Sequence, residues 1–240
     1  YRLAGAVTVL SEDLRDNVAA KLPPSMAGKV RVIPNFVDTE VVVPGDRRTE
    51  LRAELGLGDG VVVLYAGNVG FSQSLELLLA AAGDLSDLTF LIVGDGVAKP
   101  SMVAASRNLD NVVFQGYLPG DRLAELLATG DLHVVPLKAG LGRVSVPSKT
   151  YSIMAAGRPV VASIDPGTAV PRILAEASAG VSVPPDDAGA LTAALRALGA
   201  DPDHAREMGE RGRAWVVREA SPHAVGVAYD QLISEMSSRA

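Results

Sequence analysis

Residues Val146–Ser163 read VPSKTYSIMAAGRPVVAS, a proline-led segment of helix length that meets Gly157 and passes at once into the apolar run Pro159–Ser163. Pro147 suits the first turn of a helix, where its missing N–H costs nothing. Gly157 suits the position just past a helix end. Ala155 and Ala156 are small enough to let the helix lie close to a sheet. A helix start with free backbone N–H groups beside Ser148 and Lys149 is a place for an anion, and phosphate is the natural occupant.

On either side of this stretch the same strand–loop–helix pattern repeats. VVVLYAG, LTFLIVG, NVVFQG, LHVVPL, PVVAS and GVSV are near-continuous apolar runs between residues 61 and 183, as strands buried on both faces of a parallel sheet read. Helical patterns separate them at Ser72–Ala82, Lys99–Asn108, Asp121–Ala128, Pro147–Ala156, Thr168–Ala177 and Asp186–Leu198. The alternation predicts βαβ units in an α/β, doubly wound parallel sheet, whose ligands gather at the carboxyl ends of the strands. Two further helices are expected near Pro202–Arg218 and Pro222–Ser238. Upstream, Ala6–Leu10 and Val30–Ile33 read as short strands, and Ser11 as the N-cap of a helix with Glu12 and Asp13 in its first turn. Pro44–Gly45 marks a linker, and Thr49–Leu57 a short helix ending at glycine.

Composition excludes more than it identifies. The chain has no cysteine, so thiol catalysis, disulfides and cysteine zinc sites are ruled out, and three scattered histidines offer little to a metal. A net charge of −6 argues against a broad nucleic-acid surface. The apolar runs are strand-length, so none is expected to span a membrane. The chain opens at Tyr1 with neither a methionine nor a signal-like segment, and is read as a piece of a longer protein.

The polar motifs fall in loops at one edge of the expected sheet. Gly67-Asn68-Val69-Gly70 follows a strand and precedes a helix; its glycines either admit a diphosphate or serve a tight turn. Two glycines three apart do not make the dinucleotide fingerprint, so a dehydrogenase is disfavoured. Gly94-Asp95-Gly96 is either a nucleotide contact or a plain turn. In Gln115–Pro119, Tyr117 is either a base-stacking ring or a rim aromatic. Lys138, Arg143 and Lys149 are candidate phosphate cations, Arg143 with bidentate geometry, against solvated surface charges. Asp165–Thr168 reads as a turn with Thr168 as N-cap, Glu176 as solvated, His133 as a structural residue, and His204 and His223 as surface residues. No acid–base carboxylate pair and no Ser-His-Asp arrangement stand out.

Taken together, PSKTYSIMAAGRPVVAS, AGNVGFSQSLELLL, LIVGDG, NVVFQGYLP and DLHVVPLKAG resemble, in order and spacing, the nucleotide-sugar-binding half of the retaining glycosyltransferases of family 4. The flavour is that of the bacterial surface-polysaccharide (colanic acid and O-antigen) enzymes. The resemblance runs from VTVLSEDLRDN to the last helix. It implies a GT-B architecture: residues 1–38 the tail of an acceptor-binding domain and hinge, 39–58 a linker and short helix, 59–221 the donor-binding domain, and 222–240 a helix crossing back. It implies sugar transfer from a nucleotide-diphospho-sugar, without a metal cofactor, to a polysaccharide or lipid-linked acceptor. The site it implies comprises Arg143 and Lys149 at the leaving diphosphate, and Gly67, Asn68, Gly70, Gln73, Gly94, Gly96, Tyr117, Leu118, Lys138, Pro147, Ser148, Tyr151 and Ser152 around the donor. The implied partners are that donor and the acceptor domain outside this chain, with a cytoplasmic location and peripheral contact with the inner membrane in the full-length protein.

The chain departs from the family at two places. Asn68 and Gln73 stand where many members carry an arginine and a lysine, and Val144 and Ser152 where many carry a glutamate pair. Ser152 or Tyr151 is the expected substitute at the ribose. Two other readings are a non-catalytic nucleotide-sugar-binding module and a nucleotide-sugar epimerase of the same fold. The epimerase needs carboxylates and a histidine that have no place here. Without its acceptor domain the chain is expected to bind donor and turn over little.

Overall fold

The computed structural model describes residues 3–238; the ends of the expected first and last segments, residues 1–2 and 239–240, lie outside it. The chain begins with a small unit made of β1 (Val7–Val9), α1 (Glu12–Ala19), α2 (Pro24–Ala27) and β2 (Val30–Val32), whose two strands pair in parallel. Ser11 caps α1, its hydroxyl accepting from Leu14 N–H at 3.2 Å. After the linker and α3 (Glu50–Glu54) comes β3 (Val62–Ala66), α4 (Glu76–Asp84), β4 (Thr89–Val93), α5 (Lys99–Ala105), β5 (Val112–Gln115), α6 (Leu123–Thr129) and β6 (Leu132–Pro136). Then follow α7 (Lys149–Ala155), β7 (Val160–Ser163), α8 (Ala169–Ala177), β8 (Gly180–Val183), α9 (Ala188–Gly199), α10 (Pro202–Glu219) and α11 (Pro222–Ser237).

Strands β3 to β8 form one six-stranded, wholly parallel sheet in the order β5-β4-β3-β6-β7-β8. The order reverses between β3 and β6, so the loops leaving those two strands diverge and open a crevice at the carboxyl edge. Alternate residues serve the two faces. Val63, Tyr65, Phe90 and Ile92 pack on the α4–α9 side, while Leu64, Leu91 and Val93 pack with Leu51 of α3 and Leu126 of α6. On the same side as these last, Val160 and Ala162 of β7 pack with Met154, Val170 and Val216. The central strands are buried except at Ala66 and Thr89, but β5 is half-buried and β8 is buried only at Val183, because edge strands have a neighbour on one side alone.

Helix ends account for most differences from the sequence expectation. The segment expected to turn helical at Ser72 instead makes a tight turn over Phe71–Gln73, and Ser74 takes a left-handed backbone (φ 43°) before α4 starts. Helix α7 begins at Lys149 rather than at Pro147, and Ser148 makes no side-chain cap. Its other end is as expected. Gly157 (φ 67°) carries the left-handed turn, with Gly157 N–H bonded to Met154 C=O and Arg158 N–H to Ile153 C=O. Helix α8 ends in the same way but with Ser178 at φ 49°. A side chain there is strained, so Ser178→Gly is expected to stabilise the fold by about 0.5–1 kcal/mol, seen as a rise of about 2 °C in the thermal midpoint. No helix among the described residues is long and apolar enough to cross a membrane.

Candidate functional site

The crevice between β3 and β6 is where the candidate residues converge. Lys149 leaves the first position of α7 and lays its ammonium 4.0 Å above the centroid of the Tyr65 ring, at the end of β3. A Cβ built on Gly67 would stand 2.6 Å from Lys149 Nζ, so the ammonium lies directly against that loop. Burial pushes the Lys149 pKa down to about 8, and no carboxylate offsets it. Tyr65 is wholly buried, its hydroxyl donates to Asn68 C=O at 2.6 Å, and burial raises its pKa. It therefore stays neutral and offers Lys149 a π-face rather than a counter-charge. A cation held out of water without an anion costs free energy, which a bound anion would offset.

The neighbouring loops run backbone against backbone. Gly67 N–H donates to Val93 C=O and Val69 N–H to Asp95 C=O. A Cβ on Gly94 (φ 138°) would fall 1.9 Å from the Gly67 carbonyl oxygen. Gly94 is therefore required by the meeting of two loops, and Gly96 stands in a like position against Val69. The side-chain amides of Asn68 and Gln73 flank Gly70, and Gln73 Oε1 is buried without a hydrogen-bond partner. Lys99, which the sequence reading passed over as a helix start, donates its ammonium to Gly94 C=O at 2.9 Å.

Other candidates sit further out. Tyr117 is exposed at the rim, its hydroxyl donating to Asp95 C=O at 3.3 Å, while Leu118 packs on the core beneath α3 and α6. Lys138 and Arg143 are exposed on the long loop from β6 to α7, and Pro147 and Ser152 are half-buried at the start and middle of the α7 segment, with Ser148 exposed between them. Tyr151 does not join the crevice. Its side chain is 1% exposed, stacks obliquely on Trp215 at 6.4 Å, and lines a cavity of about 870 Å³ between the N-terminal unit and helices α8, α10 and α11. Helical rotation over two residues turns it away from Lys149, which leaves Ser152 as the expected ribose partner that the structure does not turn toward Trp215.

Three further expectations need correction or refinement. Thr168 occupies the N-cap of α8 but does not cap it, because its hydroxyl donates back to Asp165 C=O at 2.7 Å. Glu176 is exposed yet accepts a hydrogen bond from Trp215 Nε1 at 2.9 Å. The Asp165 carboxylate grips the β6–α7 loop, accepting from Gly140 N–H at 2.9 Å and Gly142 N–H at 2.8 Å. His133 is a core residue as expected, bonded through Nε2 to Leu127 C=O and driven down to about 3 by burial and then by Arg158. No cluster of His, Cys, Asp or Glu suited to a metal occurs among the described residues.

A doubly wound domain of this strand order, with a half-buried lysine that faces no carboxylate at its switch point, has the architecture of one half of a GT-B fold. The profile of the family described as "Glycosyl transferases group 1" matches residues 60–201, and the chain belongs to that family. It is 29% identical over 243 residues to the alpha-D-kanosaminyltransferase of Streptomyces kanamyceticus, covering 96% of this chain and 60% of that protein. It is 37% identical over 171 residues to WcaI of Escherichia coli, assigned to colanic acid biosynthesis as a glycosyl transferase, covering 67% of this chain and 42% of that one. Among solved structures it superposes on Anabaena HepE in complex with UDP-glucose with a TM-score of 0.83 at 19% identity, covering 99% of this chain and 65% of the other. The chain thus spans less than two thirds of each of these proteins.

Proposed function

We propose that this chain is the donor-binding half of a glycosyltransferase. It binds a nucleotide-diphospho-sugar and, within a longer protein, serves transfer of a hexosyl group to a polysaccharide or lipid-linked acceptor with retention at the anomeric carbon. One observation carries this reading: the half-buried Lys149 holds its ammonium over the Tyr65 ring, against the Gly67 loop, with no carboxylate to neutralise it. The names of the relatives and the UDP-glucose held by HepE support the donor class.

In this chemistry the bond between the anomeric carbon and the diphosphate oxygen breaks, and negative charge collects on the departing diphosphate. A fixed cation in a low-dielectric site stabilises that charge more than it stabilises the bound donor. Lys149 fills this role, and Arg143 and Lys138, exposed on the β6–α7 loop, are assigned to the same diphosphate. Charge neutralisation by side chains makes a metal unnecessary. The acceptor hydroxyl, whose oxygen forms the new bond and whose proton is lost, is held by a part of the protein outside this chain. The chain alone accordingly binds donor and turns over little, and in the full-length protein it works at the cytoplasmic face of the inner membrane.

The reading fixes a pH dependence. Below about 8 Lys149 is already charged, so its part in donor affinity is constant; above it, binding must take up a proton, and affinity falls by up to about tenfold per pH unit. Calorimetric titration with UDP, GDP and ADP at about pH 7 and about pH 9 is expected to show one of them binding at micromolar strength. That ligand should bind at least several-fold more weakly at the higher pH, with proton uptake visible as a dependence of the heat on buffer ionisation. Lys149→Arg should abolish the dependence. No binding by any of the three sinks the reading, and a Lys149→Ala protein that binds as tightly as wild type removes Lys149 from it.

A further inference from the structure

The loop from β6 to α7 carries Lys138 and Arg143 but has no regular secondary structure to hold it. Two carboxylates from other loops hold it instead. Ala139 N–H donates to Asp186 Oδ2 at 3.2 Å, Gly140 N–H to Asp165 Oδ1 at 2.9 Å, and Gly142 N–H to Asp165 Oδ2 at 2.8 Å. The second oxygen of Asp186 accepts from Ser74 Oγ at 2.5 Å, in the loop that follows β3. Lys138 N–H donates to Ser72 C=O at 3.0 Å in that same loop. Asp165 is itself fixed, because the Thr168 hydroxyl bonds to its carbonyl. Loops from β3, β6, β7 and β8 are thereby tied at one edge of the sheet.

The tie is made at the expense of backbone comfort. Ser74 (φ 43°) and Asp186 (φ 58°) are two of three non-glycine residues with a left-handed backbone among those described, and they are the two ends of one hydrogen bond. Strain of this kind persists only where surrounding contacts over-determine it, and it gathers where geometry is functional. The Asp165 carboxyl is held below its usual range, first by Gly140 N–H and further by Gly142 N–H and the nearby Arg143 charge, so it grips as an ion.

We infer that Asp165 and Asp186 are positioning residues whose carboxylates clamp the Lys138–Arg143 loop, presenting its two cations to the diphosphate of a bound donor. The inference rests on the donor-site reading above. Neither carboxylate touches the donor; each acts through the loop. Two N–H bonds to a carboxylate are charge-assisted, and loss of one frees the turn that carries Arg143.

The test is calorimetric titration of the chain with UDP and UMP, with GDP/GMP and ADP/AMP in parallel, on wild type, D165N, D186N, a K138Q/R143Q variant, and each Asn change added to that variant. Each Asn change is expected to weaken diphosphate binding by about tenfold and monophosphate binding by less than about twofold. Added to K138Q/R143Q, neither should cause a further loss beyond about twofold, because the cations they position are already gone. Thermal unfolding of the same proteins reports whether the fold has changed, and the exposed Asp186 supplies a variant that spares the Asp165 turn. Unchanged diphosphate affinity in both Asn variants, equal losses for di- and monophosphate, or losses that multiply with K138Q/R143Q would each overturn the clamp. A wild-type chain that binds no nucleoside diphosphate overturns the donor-site reading, and the clamp's purpose with it.

Discussion

Lys149→Met is expected to weaken nucleoside diphosphate binding by about a hundredfold while leaving the fold as stable as before or more so. The two effects have one cause. In the free protein the ammonium is partly withdrawn from water, held over Tyr65 and faced by no carboxylate, which is why its pKa falls to about 8. That desolvation is a cost carried by the folded state. A group whose folded pKa is depressed from the lysine value destabilises the fold below about pH 8, and the penalty is relieved as pH rises toward the unfolded value. Methionine has an apolar side chain of similar length and removes the charge, so about 1 kcal/mol of stability at neutral pH should return. A diphosphate, by contrast, meets a cation already partly stripped of water by the Tyr65 ring and the Gly67 loop. Truncating one partner of such a buried pair typically costs about 2–5 kcal/mol of binding. Calorimetry for affinity and urea unfolding for stability, on the same variant, check both halves. A diphosphate affinity within about twofold of wild type would remove Lys149 from the site.

This opposition between stability and binding separates a site from a surface charge, and only part of it can be read along the chain. Each strand of the sheet was legible as an apolar run ended by Gly, Asp or Pro, because strands covered on both faces need no alternation. The runs at β5 and β8 looked the same as the others, yet these strands are half-buried edges; order within a sheet is a property of pairing, which composition does not encode. Lys149 could be placed near a helix start from Pro147 and Gly157. Its partial burial could not, because the Tyr65 ring and the Gly67 loop beside it come from another strand and its loop.

The clamp residues were less legible still. Asp165 lies in an Asp-Pro-Gly-Thr stretch that reads as an ordinary turn and Asp186 at the expected start of a helix, and their partners are 25, 47 and 112 residues away. The left-handed Ser74 likewise had no local signature, since serine is not a residue the left-handed region favours. Tyr151 was misjudged for a geometric reason: two residues along a helix turn a side chain by about half a circle, so it faces Trp215 while Lys149 faces the crevice.

Gly94→Ala is expected to cost about 3–5 kcal/mol of stability, lowering the thermal midpoint by about 10 °C, and to do so whether or not a nucleotide is present. Gly94 sits at φ 138°, a backbone conformation closed to residues with a side chain. Its missing Cβ would fall 1.9 Å from the carbonyl oxygen of Gly67, and 2.9 Å from that residue's carbonyl carbon. Neither atom belongs to a flexible side chain, so the clash can be relieved only by separating the loops after β3 and β4. Separation breaks the Gly67 N–H bond to Val93 C=O and the Gly94 N–H bond to Gln115 C=O, both just beyond the sheet. It also withdraws Gly67 from Lys149 Nζ, so donor binding should fall together with stability. Lys149→Met and Gly94→Ala thus leave different signatures: the first loses binding with the fold intact, the second loses both. A Gly94→Ala protein that keeps the wild-type midpoint would show that the two loops have room to part, and that the glycine is there for a ligand's approach rather than for the backbone opposite.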